Sequence, residues 1–289
     1  YYAVGSSLLT GIKTDVREYD RVMGVTDGKG KLTHLFVIDR VYTGSGEMRY
    51  CEHCKSEVQW WSWEDTMYLP TINGHFYLTN DVNLTKQSLV RENTQIVLDL
   101  SGRTITGKLN NRIFATWGEG AYLGIVDSSV KQTGALVAKG TQMDQGGCLW
   151  IRFGTVDMFG GTLDASQAQT IKNGAAVLLK EGATFNMYNG AIKGGTSQAI
   201  KNEAGNAING SGGNLYVEGN FNMYGGTISG NTAKNGGAIY ASSNQAMEMT
   251  EFDITLFKSM RQAPQTANYN RNAYNTGTLL GGSGFDAKQ

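Results

Sequence analysis

Residues 212–231 read GGNLYVEGNFNMYGGTISGN, and two upstream stretches repeat their pattern. Residues 146–165 are GGCLWIRFGTVDMFGGTLDA and residues 174–195 are GAAVLLKEGATFNMYNGAIKGG. Each has a short apolar strand, a Gly, an alternating segment ending in Met and an aromatic, then a Gly-rich step followed by Thr or Ala and Ile or Leu. The methionines fall at 158, 187 and 223, and GGAIY at 236–240 opens a further copy. Weaker relatives lie at 96–107 (IVLDLSGRTITG) and 123–140 (LGIVDSSVKQTGALVAKG). A period of this length is too long for one hairpin and too irregular for a propeller blade. It suits a coil of several short strands whose corner loops absorb the differences in length. Side chains alternate in a strand, so Phe221 and Met223 face inward with Ile228 beyond the Gly corner, while Asn222 and Tyr224 face out. The pattern predicts an all-β chain, a right-handed parallel β-helix with N-terminal and C-terminal caps. A β-sandwich or barrel is the alternative, although those favour strands every 8–12 residues without a repeated motif.

Composition agrees. Glycine supplies 39 of 289 residues and proline only two, Pro70 and Pro264. Gly-Gly and Asn-Gly steps suit sharp corners at positive φ, and interior strands that donate to both neighbours exclude proline. Charged residues are 17% and balance to zero, with no Lys/Arg cluster, which argues against nucleic acid and against an anionic membrane. No apolar run reaches the length of a membrane span, so membrane insertion is not expected. With 40% hydrophobic residues, 14 Tyr and 10 Phe, the chain is not disordered. The start, Tyr1-Tyr2, lacks a leader pattern, as expected of a processed secreted protein or a segment of a longer one. Helical patterning is confined to 8–23 and 251–262.

The stretch 225–240, GGTISGNTAKNGGAIY, resembles the repeat of Gly-rich β-helix surface proteins of gut Firmicutes and related anaerobes. Its GGAI element is similar to that of chlamydial polymorphic outer-membrane adhesins, but their F-x-x-N element is not matched by FNMY. CEHCKSEVQWWSW at 51–63, LPTINGHFYLTNDVNL at 69–84 and IVLDLSGRTITG resemble the entry module of the Firmicutes proteins. The likeness covers roughly residues 51–241. It implies a cell-surface or secreted location and an adhesin-like module binding a host glycoprotein or glycan. β-Helices carry lyases as well as adhesins, so the likeness is specific for fold and not for activity. The expected organisation is an N-terminal cap at 1–50, with HLFVIDRVY at 34–42 an edge strand. A β-helix with a CxxC entry module follows at 51–243, and a C-terminal cap or linker at 244–289.

Cys51-Glu52-His53-Cys54 is the strongest local motif. Two thiolates from one turn make half of a tetrahedral zinc site, and His75 and His34 are the expected distal ligands of a structural zinc. A Cys51–Cys54 disulfide and two reduced thiols are the alternatives. Cys148 stands alone, and three cysteines cannot all pair. A thioredoxin-like role would require a helix after the motif, and none is expected there.

For an enzyme acting on a polysaccharide, carboxylates would have to align on adjacent rungs. Asp157 instead aligns with Asn186 and Asn222, while Asp99, Asp127 and Asp164 occupy different places in their coils. Arg152 beside Asp157 is a possible lyase-like pair, and Lys180 and Glu218 suit a solvated face. No catalytic residue is therefore assigned. Among aromatics, alternation puts Trp61 and Trp63 on one side and Trp60 on the other, with Trp60 the expected exposed member. Phe159, Tyr188 and Tyr224 align across repeats as an outward ladder that either stabilises the fold or offers a recognition surface. Trp60, Phe159, Tyr188 and Tyr224 are thus the expected binding residues. A stalk that spaces another domain from the cell is a further alternative.

Overall fold

The structure, a computed structural model, describes residues 20–27, 29, 32–40, 45–108, 110–140, 145–168, 172–197, 200–201, 207–208, 210–233, 236–241, 247–249 and 279–280. The chain divides into two compact units, Tyr1–Ser45 and Gly46–Gln289. In the first, β1 (Asp20–Thr26) and β2 (Leu32–Arg40) form an antiparallel pair. Residues 34–40 are therefore an edge strand, as their sequence suggests. Residues 20–23 are strand rather than the end of a helix, because pairing with β2 overrides the weak helical spacing. The rest of the 8–23 segment and all of 251–262 lie outside the described residues.

The second unit begins with the hairpin of β3 (Gly46–Cys51) and β4 (Ser56–Trp63). The chain then visits three sheets in strict rotation. One turn runs β5 (Gly74–Leu78), β6 (Val82–Asn83), β7 (Ser88–Arg91), and the next runs β8 (Gln95–Asp99), β9 (Thr104–Thr106), β10 (Phe114–Trp117). β11 (Tyr122–Val126), β12 (Ala135–Gly140), β13 (Leu149–Ile151) and then β14 (Thr155–Met158), β15 (Thr162–Ala168), β16 (Val177–Leu179) make two more turns. The fifth turn holds β17 (Thr184–Met187), β18 (Ala191–Lys193), the short β19 (Thr196–Ser197), β20 (Ile200–Lys201) and β21 (Ala207–Ile208), and β22 (Leu215–Val217). The sixth has β23 (Asn220–Met223), β24 (Thr227–Ser229), β25 (Thr232–Ala233) and β26 (Ile239–Ala241). β27 (Met247–Met249) and β28 (Leu279–Leu280) extend the first sheet beyond β23.

Beyond the antiparallel β3–β4 hairpin, each strand pairs in parallel with its counterpart one turn on, within sheets of ten, six and six strands, which is a parallel β-helix solenoid. No helix occurs among the described residues, so none is long and apolar enough to cross a membrane.

The repeat positions decide the interior. In the first sheet Leu98, Ile125, Met158, Met187 and Met223 stack in register, beside Ile96, Leu123, Val156, Phe185 and Phe221. The second sheet contributes Ile105, Leu136, Leu163, Ile192 and Ile228, and the third Phe114, Leu149, Val177, Leu215 and Ile239. All of these are buried. Each such side chain contributes about 1.5–3 kcal/mol of burial, so the stack of rungs is the source of stability.

The corner from second to third sheet takes up most of the length variation and holds the β19–β21 insertion of the long rung. The fully buried Asn214 pins that corner, accepting from Gly195 N–H (2.8 Å) and donating to Ile192 O, Ser229 O and Asn231 Oδ1.

Candidate functional site

Side chains pointing away from the interior of the first sheet form columns along the axis. One column reads Trp60, His75, Val97, Gly124, Asp157, Asn186, Asn222. The β3–β4 hairpin reaches past the start of β5, and its tip folds back over this outer face. There Cys51, Trp60, Val97 and Tyr122 pack into a small second core, flanked by Val58, Tyr77 and Val126. Arg49 holds the hairpin down by lying 4.0 Å over the Tyr77 ring and donating to Asp99 Oδ2 at 3.3 Å.

The tip itself is a tight turn. Lys55 N–H donates to Cys51 O (2.8 Å), Cys54 N–H points at Cys51 Sγ (3.3 Å), and Lys55 takes φ of 53°. Cys54 Sγ lies 3.2 Å from His75 Nε2. The ligand atoms of Cys51, Cys54 and His75 all fall within 4.8 Å of one another, so the three could hold a metal. A set of two sulfurs and one imidazole suits zinc.

Burial, followed by the hydrogen bond and charge of Cys51, raises the Cys54 thiol to about 11. Burial, followed by the neighbouring His53, lowers His75, which keeps its imidazole neutral as a ligand must be. The three cysteines are free, so the disulfide alternative does not describe this structure. His34, the expected fourth ligand, is on β2 of the other unit, and its side chain lies outside the described residues.

Beside the cysteines, the His53 ring stacks on Tyr122 at 4.1 Å, and His53 Nδ1 is 3.7 Å from Asp157 Oδ2. Tyr122 crosses to Asp157 because Gly124, between them on the outer face, has no side chain. A Cβ there would meet the phenol oxygen at 3.2 Å. Asp157 is buried yet satisfied. Oδ2 accepts from Tyr122 (3.0 Å) and Oδ1 from Asn186 Nδ2 (2.7 Å), while Asn222 Nδ2 donates to Asn186 Oδ1 (2.8 Å). Burial, then the Asp157 charge, raises the Tyr122 phenol far above its ordinary value.

The other carboxylates hold turns. Asp127 accepts from the Gly102, Ser129 and Gly134 N–H groups, and Asp99 from those of Ser101 and Ser128. The sequence alignment of Asp157 with Asn186 and Asn222 is the register observed.

Trp60 is not the exposed tryptophan. It does occupy the outward column, but the folded-back tip leaves it 3% exposed. Trp61 and Trp63 share the other side, in register with Phe76 and Leu78, as alternation requires. Trp63 is buried, whereas Trp61 is 38% exposed because its antiparallel partner on the edge strand is the side-chain-free Gly46.

The Phe159–Tyr188–Tyr224 ladder is present, with ring centroids 4.9 and 5.1 Å apart and planes 4° and 18° from parallel. The rings cover one another's faces and present edges and hydroxyls outward.

Arg152 does not join Asp157. Arg152 follows β13 on the third sheet, whereas Asp157 faces out from the first; the guanidinium lies 4.1 Å over Trp117. There Trp117 meets Trp150 edge-on at 5.6 Å, and Arg112 lies 4.3 Å over Trp150. Sequence reasoning missed this cluster, as it missed His53 and Tyr122. Trp117 and Trp150 become neighbours only once rung register is known. Lys180 and Glu218 form an ion pair, as on a solvated face. No family model, curated protein or solved structure matches the chain.

Proposed function

We propose that this chain is a non-catalytic β-helix module, displayed at a cell surface or secreted, that binds a host glycoprotein or its glycans. The observation that carries this reading is the outer face of the first sheet. There the Phe159–Tyr188–Tyr224 ladder runs parallel to the hydrogen-bonded Asp157–Asn186–Asn222 row. Phenol hydroxyls beside primary amides, repeated at the rung spacing, match the donor and acceptor pattern of a hydroxyl-rich ligand. The repeat's likeness to Gly-rich β-helix surface proteins of gut Firmicutes supports the location and the class of partner.

Within this reading Cys51, Cys54 and His75 hold a structural zinc. The ion would lock the hairpin tip onto the outer face and so keep Cys51 and Trp60 buried. Its chemistry there is cross-linking.

A glycan array, followed by retention of mucosal secretions on immobilised protein, tests the function. Glycan binding that is lost in Tyr188→Ala, with retained material intact, is the expected result. Cleaved material would instead favour a carbohydrate-active enzyme of pectate-lyase-like fold. The His53–Tyr122–Asp157 group is the place to mutate in that case, because a buried carboxylate, a phenol and an imidazole converge there. Absence of any retained glycan would overturn the binding reading and leave a stalk.

A further inference from the structure

The third sheet carries a different outward column. Arg91 pairs in register with Trp117. The ladder continues through Thr116–Ile151–Leu179–Val217, so the next residues, Trp117, Arg152, Lys180 and Glu218, follow one another on successive rungs. At about 4.8 Å per rung, Arg91 and Arg152 stand roughly 10 Å apart with an indole between them.

Trp117 and Phe153 are each 42% exposed, a large apolar area for an outer sheet face. Arg152 is held by rings alone, its guanidinium 4.1 Å from the centre of Trp117, 5.7 Å from Trp150 and 5.5 Å from Phe153. Among the described residues neither Arg91 nor Arg152 makes an ion pair, whereas Lys180, one rung on, is neutralised by Glu218. Stacking thus fixes the plane of Arg152 while leaving its N–H fork unspent, the arrangement that takes a carboxylate or sulfate in bidentate fashion.

We infer that this column is a binding site for an acidic glycan, a sugar chain carrying a carboxylate or sulfate on alternate units. The anionic group would sit on Arg152, the neighbouring ring would stack on Trp117, and the next charge would fall toward Arg91. A nucleic acid fits less well. The exposed Glu92, Glu119 and Glu181 occupy the adjoining corner turns and would repel a strand charged at every unit, and the chain as a whole is neutral. The site lies on a different sheet from the Tyr188 ladder and does not depend on it.

Titration calorimetry with hyaluronan and unsulfated chondroitin octasaccharides tests the assignment. A chitin oligosaccharide and a single-stranded oligonucleotide serve as the neutral and nucleic-acid comparisons. The expected result is binding of at least one acidic octasaccharide that weakens with salt. It should fall about tenfold in Arg152→Gln and in Trp117→Ala. Circular dichroism of each variant confirms its fold. Failure of both acidic probes to bind, equal binding of chitin, or affinity unaffected by Arg152→Gln overturns the proposal. Tighter binding of the oligonucleotide through the same residues overturns the glycan assignment. Loss of binding in Tyr188→Ala alone would return the ligand to the first sheet.

Discussion

Tyr122 donates its hydroxyl at 3.0 Å to Oδ2 of Asp157 on the next rung, across the bare backbone of Gly124. The bond satisfies a carboxylate that is otherwise out of water, and the phenol ring gives His53 of the hairpin tip its stacking partner. Replacing Tyr122 by Phe keeps the ring and removes the donor. The expected loss is about 1–3 kcal/mol, the cost of an unsatisfied buried acceptor, read from the urea midpoint. A midpoint equal to that of the parent would mean that water replaces the phenol.

Metal at the hairpin tip makes a separate prediction. Purified protein should carry one zinc per chain by elemental analysis, and chelation should lower the melting temperature. Cys51→Ser, Cys54→Ser and His75→Gln should each abolish binding, whereas Cys148→Ala should leave the stoichiometry intact. Cys54 holds its proton up to about 11, so zinc must displace it, and affinity should rise as pH is raised from about 6 to about 8. Metal-free protein of full stability would refute the assignment.

The solenoid was legible because its interior positions repeat: Met158, Met187 and Met223 had to share a column once the strands were recognised as rungs. The outward order of Asn222 and Tyr224 followed from the same alternation. Trp60 was not legible, since alternation names a side of a strand and not what folds over it. The hairpin that buries Trp60 does so through Cys51, Val97 and Tyr122, residues up to about seventy positions apart. The Arg152–Trp117 contact was hidden for a related reason. Arg152 is five residues from Asp157 in sequence, but a corner separates them onto different sheets, and the partner of Arg152 comes from the previous rung.

Two corner glycines allow conformational cost to be separated from contact. Gly154 has φ of 73°, and a side-chain carbon there would collide with the Ala121 carbonyl oxygen. Gly182 has φ of 80°, and nothing lies within 4 Å of the same carbon. Gly182→Ala should therefore cost about 1–2 kcal/mol, the left-handed penalty alone, and Gly154→Ala clearly more. Equal losses in paired denaturation curves would mean that the Ala121 rung yields freely.

Cys148 predicts the alkaline limb of the stability curve. Its thiol is fully buried, donates to Leu136 O at 3.4 Å, and is raised by burial and then by the Asp164 charge. An unfolded thiol ionises near about 8.5, so above that pH the unfolded chain loses a proton that the folded chain keeps. Stability contributed by Cys148 is complete below that value and declines as pH climbs beyond it. Cys148→Ala should flatten the decline between about pH 9 and pH 10.5, and an unchanged slope would assign it to Cys54 and the buried Tyr122.

The ladder offers a graded test of packing. Tyr188 stacks on both Phe159 and Tyr224, whereas Tyr224 has Tyr188 as its stacked neighbour in the ladder. With about 0.5–1.5 kcal/mol per aromatic pair beyond area burial, Tyr188→Ala should lose two such pair energies, those with Phe159 and Tyr224. The double variant should cost less than the sum of the two, because the shared 5.1 Å contact can be lost only once. Strict additivity in a double-mutant cycle would mean that the rings lie parallel without stabilising one another. Their alignment would then have to be explained by what they present outward.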